Sequence, residues 1–322
     1  MLRQALIAAS ALACASASAA PISLNEGGLA RGFALPALGE PSVPEPGHLS
    51  QQIDLDFVNE FFLGESHNSN GTGEKLDVDG EATRLAWRGL YGIAPGWDVG
   101  ITVPVYIVGG GFLDGTIEGW HRFFNLPNAN RADVPHNRFV YRYERNGETL
   151  LDVEDSGAGL GEIRLEAGHA IGEWLAVRAQ LKLPTGSRSH LLGNGAWGSA
   201  MWIDYPLPFD IGSRFDGFLS AGFSYTGTGD VLPDQQKNFI PFGGLGLNCR
   251  LFGRLGASFQ YAVHSALYES SSFPPLTRIA APLSFGLNYR LPKDRTIEVL
   301  IQEDSSIYAS PDFVLHFAFA MP

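Results

Sequence analysis

Residues 253 to 264 (GRLGASFQYAVH) alternate in polarity, with Leu255, Ala257, Phe259, Tyr261 and Val263 on one face and Arg254, Ser258, Gln260 and His264 on the other. A period of two marks a strand whose two faces meet different surroundings. Residues 278 to 290 repeat the pattern, setting Ile279, Ala281, Leu283, Phe285, Leu287 and Tyr289 against Arg278, Ser284, Asn288 and Arg290. Residues 97 to 107 put Trp97, Val99, Ile101, Val103, Val105 and Ile107 on the apolar face, and residues 174 to 183 oppose Leu175, Val177, Ala179, Leu181 and Leu183 to Arg178, Gln180 and Lys182. Twelve such segments are predicted, over 50–63, 76–93, 97–108, 158–171, 173–184, 195–206, 213–227, 238–250, 252–266, 276–290, 293–303 and 311–320.

The connections test that count independently. Strands running up and down through a membrane alternate between tight turns on one side and longer loops on the other. The even gaps are short (94–96, 172, 207–212, 251 and 291–292), whereas the odd gaps are longer (64–75, 109–157, 185–194, 228–237, 267–275 and 304–310). A soluble sandwich has no reason to sort its loops by parity. Its solvated face would also be rich in Lys and Glu. Here the polar face mixes Gly, Ser, Asn and Thr with scattered charge, including Arg164, Glu166, Arg178, Lys182, Asp204, Arg250, Arg278 and Arg290. That composition suits a confined lumen. The predicted fold is all-β: a transmembrane antiparallel up-and-down barrel of about twelve strands. Its girdle candidates are Trp87, Trp97, Trp174, Trp197, Tyr205 and Tyr289.

Fourteen strands is the alternative. Within loop 109–157, an Asn146-Gly147 turn separates FVYRYER from ETLLDVE, a strong hairpin signal. These arms are short for a span of roughly 9–11 residues, so twelve is preferred. The same loop holds GTIEGWHRFFNLP, with Ile117, Trp120 and Phe124 on one helical face. At the C-terminus Phe313, Leu315, Phe317 and Phe319 alternate like the final strand that the barrel-assembly machinery reads, but the chain continues Ala320-Met321-Pro322 where typical clients end on an aromatic.

Composition narrows the class. The chain is 45% hydrophobic, 11% aromatic and only 17% charged, with 39 Gly among 322 residues. Disordered chains lack the aromatics and β-branched residues, and a helical membrane protein needs runs of roughly 20 apolar residues. The net charge of −12 argues against nucleic acid as a partner. Arg3, the apolar run 5–15 and ASASAA read as a signal peptide, residues 1–19, cleaved after Ala19. A lipoprotein reading of Cys14 competes, with Leu12 one position late for a lipobox. Cleavage leaves Cys249 alone, so no internal disulfide forms. Residues 20–48 hold five Pro and five Gly around an apolar cluster of Leu29, Phe33, Leu35 and Leu38, and read either as a plug in the lumen or as a periplasmic tail ahead of the barrel domain, 49–322.

Enzyme motifs are poor. There is no nucleophile elbow, zinc pair, EF-hand or P-loop. The Gly-rich pieces GAGLGE and GGLGLN sit in strand patterns, and His169 or His264 beside a Ser is more often structural than catalytic. No catalytic residue, cofactor or metal is assigned. The acidic groups Glu74, Asp77, Asp79 and Asp152, Glu154, Asp155 lie at loop ends as solvated charge, with cation sharing as the alternative.

The stretches GLARGFALPALGE (28–40), GAGLGEIRLEAGHAIGEW (157–174), LKLPTGSRSHLLGNGAWGSAMW (181–202), GDVLPDQQKNFIPFGGLGL (229–247) and EDSSIYASPDFVLHFAFA (303–320) resemble the Gram-negative family DUF3187, a domain of unknown function. The element Lys182-Leu183-Pro184-Thr185-Gly186 is similar, less specifically, to hydrophobic-compound transport barrels of the fatty-acid and aromatic-hydrocarbon type. The resemblance implies an outer-membrane barrel and supplies neither substrate nor catalytic residues. The leading expectation is a monomeric barrel in the outer membrane, assembled by the barrel-assembly machinery among lipid and lipopolysaccharide. It would admit small hydrophobic or amphipathic molecules. Trp120, His121, Phe123 and Phe124 would capture the ligand, and the lumen charges would orient it. A non-transporting surface or structural barrel and a lipid-modifying barrel enzyme are the alternatives.

Overall fold

The computed structural model describes residues 20–67, 73–124, 131–172, 175–207, 214–306 and 308–321. The expected signal peptide and Trp174 lie outside them. Twelve antiparallel strands form one closed sheet. They are β1 (Leu49–His67), β2 (Gly73–Ala94), β3 (Trp97–Gly109), β4 in two pieces (Gly157–Leu160 and Arg164–Ile171), β5 (Leu175–Lys182) and β6 (Gly198–Pro206). The rest are β7 (Phe215–Thr226), β8 (Phe239–Phe252), β9 (Leu255–His264), β10 (Pro282–Arg290), β11 (Thr296–Asp304) and β12 (Phe313–Met321). Each strand pairs with its sequence neighbours, and β12 closes on β1 from Phe313 opposite Asn59 to Met321 opposite Gln51. Closure leaves no sheet edge in lipid, where an unpaired backbone group is costly.

Register follows from the alternation. Even-numbered residues of the strands point inward and odd-numbered ones outward, so that Asp54, Asp56, Arg84 and Arg178 are buried while Ile53, Leu85, Val105, Leu181, Ile203, Leu219, Leu287 and Ile297 are exposed. That outward band belongs in lipid. Tyr91, Trp97 and Tyr289 stand at its short-turn end and Trp197, Tyr225 and Phe239 at its long-loop end, as interfacial girdles do.

Several strand boundaries differ from expectation, and three of the differences change the architecture. The strands β1 and β2 stay paired as far as His67 opposite Gly73 and so rise well beyond the roughly 9–11 residues a span needs. The fourth strand breaks between Leu160 and Arg164, where Ile163 N–H bonds the Thr185 hydroxyl instead of a neighbouring strand. The tenth begins at Pro282, because Pro274 and Pro275 open a short helix, α2 (Pro274–Thr277), in the preceding loop. The Asn146-Gly147 hairpin forms as Val140–Arg145 and Glu148–Val153, with Val140 to Arg145 pairing on Asp79 to Glu74 at the top of β2. It stands on the rim and adds no membrane strand.

Candidate functional site: an occupied lumen

The barrel interior is filled by the N-terminal segment. Residues 22–23 and 37–38 pair antiparallel, Ile22 with Leu38 and Ser23 with Ala37, and every residue from Ala20 to Ala34 except the half-buried Ser23 is buried. The segment rises from the short-turn end, turns through a 3-10 helix at Arg31–Phe33, and returns to leave the barrel near Gly92. Pro36, Gly39 and the adjoining small residues give this stretch few ways to form regular structure of its own. Its backbone polar groups must therefore find partners on the wall.

The wall supplies them from β1 through β6 and from the rim. Gln52 donates to Pro21 O (3.0 Å), Tyr268 to Leu29 O (2.9 Å), Lys182 to Gly32 O (2.6 Å), Gln180 to Ala34 O (2.8 Å) and Arg164 to Leu35 O (3.0 Å). Arg178 donates to Glu40 O (2.8 Å) and Ser42 O (2.6 Å). The hairpin's own donors are answered too: Gly28 N–H bonds Glu60 (2.6 Å) and Gly39 N–H bonds Asp204 (3.2 Å). Burial in the rim also pushes the Tyr268 hydroxyl above the usual phenol range, which keeps it a donor.

Charge is balanced locally. Arg84 meets Asp56 (2.5 Å) and the hairpin's Glu26 (3.4 Å), and Arg88 meets Glu166 (2.8 Å) and the hairpin's Glu40 (3.2 Å). Arg178 pairs with Asp98 (3.2 Å), and Lys182 with Glu162 (3.3 Å). The Glu162 carboxylate also accepts from the backbone of Thr185, Gly186 and Asn194. The Lys182-Leu183-Pro184-Thr185-Gly186 element is thereby a clasp that ties a loop, the wall and the hairpin together. The facing wall, β7 to β10, carries Ser220, Ser224, Asn248, Ser258, Gln260, Ser284 and Asn288, neutral and polar.

Toward the long loops the interior turns apolar. Leu24, Leu29, Phe33, Leu35 and Leu38 pack in one cluster with Phe62, Leu76, Val78, Tyr141, Tyr143, Leu191, Ile240, Phe242, Leu267, Phe273 and Leu276. A cavity of about 30 Å3 lies between the hairpin and the rim, lined in part by Leu29, Ala30, Val78, Leu267, Pro275 and Tyr308 with Asn25 and Glu60.

Of the sequence-selected lumen residues, Arg164, Glu166, Arg178, Lys182 and Asp204 are buried inside the barrel. Arg250 and Arg290 stand at its short-turn mouth, bordering a small pocket with Asp216 and Asn288. Arg278 follows α2 in a long loop and is exposed, outside the strand expected there. The four loop residues lie elsewhere as well. Helix α1 (Asp114–Phe124) carries Trp120, His121, Phe123 and Phe124, and its Ile117 and the preceding Leu113 pack with Phe313 against the outward residues Phe57, Ile301 and Leu315. The helix is seated on the outer wall and does not overhang the lumen. His169 stacks on Trp97 (3.9 Å between centroids) and His264 contacts Asn25 and the Ser265 carbonyl. The acidic loop ends are ion-paired, Asp77 and Asp79 with Arg138, Asp152 and Glu154 with Arg142. Missed by the sequence reading were Gln52, Arg84, Arg88 and Tyr268. The first three sit at even positions of predicted strands, so parity alone could have found them.

These features define an outer-membrane β-barrel with a segment of its own chain inside. The chain belongs to the family described as protein of unknown function, DUF3187, whose model matches residues 50–321. No curated protein matches it in sequence. Among solved structures, an outer-membrane channel from Pseudomonas putida F1 is similar at 11% identity and a TM-score of 0.55, the match covering 89% of this chain and 99% of that one. A toluene transporter of Ralstonia pickettii aligns at 11% identity, 92% and 98% coverage and a TM-score of 0.41. A FadL homologue of Pseudomonas aeruginosa aligns at 8%, 94% and 98%, and 0.41. The likeness to the Pseudomonas putida protein is one of fold.

Proposed function

We propose that this protein is a monomeric outer-membrane channel for small hydrophobic or amphipathic molecules, and that residues 20–42 are a plug whose displacement opens it. The observation that carries the reading is the way the lumen is filled. A wall built for permanent closure would fill itself with its own side chains, whereas here a separate hairpin is held through its backbone carbonyls by Gln52, Arg164, Arg178, Gln180 and Lys182. The two Gln contacts are worth about 1 kcal/mol each net of water and the three from Arg and Lys about 1.5–3 kcal/mol each, small enough to break one at a time. The apolar packing at the long-loop end favours a hydrophobic solute once the hairpin is displaced, and the Ser, Asn and Gln wall of β7 to β10 accommodates a polar end as it passes.

In this reading the signal peptide is removed after Ala19, the barrel-assembly machinery inserts the barrel, and Ala20 becomes the first plug residue. Uptake of small hydrophobic compounds by cells lacking the chain tests the proposal. A deficit restored by the wild-type chain supports it, and unchanged uptake favours a surface or structural barrel. A wide, steady, unselective conductance in planar bilayers would instead identify a general porin.

A further inference from the structure

The loop between β3 and β4 does something a surface loop ordinarily does not: it folds back down the lipid-facing side of the barrel. Beside apolar outward residues such as Phe57, Ile301 and Leu315, it covers polar ones. Glu81 on β2 accepts the N–H groups of Phe112 (2.8 Å) and Leu113 (2.6 Å). Arg131 donates to Asn59 on β1 (2.9 Å), to Asp114 (2.7 Å) and to Asp312 (2.8 Å), and lies over the Phe61 ring at 4.7 Å. Charged groups on the lipid face of a barrel are destabilising unless they lie near the interface or are covered. This loop is the cover.

Its other side exposes two large aromatic rings. Phe112 is 64% exposed and Phe123 is 81% exposed, the latter beside the exposed Arg122. The Phe112 ring meets Phe57 edge-on at 5.8 Å, and Phe57 meets Phe317 at 6.4 Å, so the loop's aromatics continue the lipid-facing column of β1 and β12. Asp114 ties the start of the helix to Arg131, Phe112 just ahead of it continues that column, and Phe123 is exposed on the helix itself, a set of features suited to a membrane interface. We propose that α1 and the residues leading into it form an interfacial anchor whose Phe112 and Phe123 enter the acyl chains of the outer leaflet, with Arg122 at the depth of the lipid phosphates. The occupant of this surface is lipid, and the proposal is independent of transport.

Gly119 offers a clean probe, because a side chain added there meets nothing within 4 Å and both phenylalanines are kept. In a Cys249→Ser background, Gly119→Cys carrying an environment-sensitive fluorophore is reconstituted into phosphatidylcholine vesicles with and without lipid spin-labelled near the headgroup. Asn146→Cys at the hairpin tip serves as an aqueous reference, and heat-modifiable gel migration confirms folding of each variant. Anchoring predicts blue-shifted emission, quenching by the spin-labelled lipid of about two-fold, and protection from iodide relative to Asn146→Cys. Adding Phe123→Ser should reduce the lipid quenching. Iodide quenching equal to that at Asn146→Cys, with no response to the spin label, would overturn the proposal. So would self-quenching that grows with protein density, which would place a second copy of the chain on this surface.

Discussion

Lys182 shows how one side chain can serve several parts of this molecule. Its ammonium reaches Gly32 O in the hairpin, Glu162 in the wall and Asn194 in the clasp loop. Lys182→Met leaves Glu162 buried without its cation, and removing one partner of a buried pair costs about 3–5 kcal/mol. Gln180→Ala removes only a neutral bond to Ala34 O and should cost about 1 kcal/mol. Urea unfolding in detergent micelles should therefore rank Lys182→Met well below Gln180→Ala. A second residue-scale prediction concerns Phe218, whose ring lies between Gly39, at φ 99°, and Gly246. A Cβ at either position would overlap the ring, so Gly246→Val should displace Phe218 and loosen the hairpin. Faster cleavage of residues 20–48 by added protease is the expected readout.

Asp312 gives a pH dependence. Burial pushes its carboxyl up to about 7 even though Arg131 lowers it, with Asp304 and Glu60 adding to the rise. A folded pKa above the unfolded one means that the folded state holds the proton more tightly. Its contribution is complete below the ordinary carboxylate range and is lost as pH rises through about 7. Hydrogen exchange in loop 110–139, corrected for the intrinsic rate, should show stronger protection at acid pH than at alkaline pH. Asp312→Asn should flatten that difference.

At the scale of elements, the barrel was readable from the chain because every strand repeats a constraint of period two. Trp97, Val99 and Ile101 face lipid for the same reason as Leu255, Ala257 and Phe259, and a slip of one residue would reverse every face. The rim hairpin was readable from Asn146-Gly147, which supplies the two left-handed residues its turn needs, at φ 53° and 81°. What escaped were the elements without a period. The hairpin of residues 20–42 is held through its carbonyls, and a carbonyl carries no mark in the sequence. Its apolar residues Leu29, Phe33, Leu35 and Leu38 signalled burial but not where. Helix α1 misled in the same way: Ile117 and Trp120 do form an apolar face, and only the structure says that the face meets Phe313 and Leu315 outside the barrel. Because the hairpin shares one apolar cluster with the wall and rim, Phe33→Ala should cost about 3–5 kcal/mol, measurable in the same unfolding assay and large for a segment outside the strand ladder.

On the scale of the whole molecule, the low charge of the chain follows from its two surroundings. One side of the sheet meets lipid, and the other meets a lumen where Arg84, Arg88, Arg178 and Lys182 pair with wall carboxylates and, for Arg84 and Arg88, with the hairpin as well. The hairpin's strands pair with each other and with none of the twelve barrel strands, so its displacement would leave the ladder intact. The direct test is to tether it. Ala34 and Gln180 touch across the lumen, Gln180 donating to Ala34 O at 2.8 Å. In a Cys249→Ser background, Ala34→Cys with Gln180→Cys should form a disulfide under oxidation, detected as a mobility shift. In planar bilayers the oxidised protein should lose the openings seen in the Cys249→Ser parent, and reduction should restore them. Conductance that is identical in the oxidised and reduced states, with the cross-link confirmed, would contradict the account.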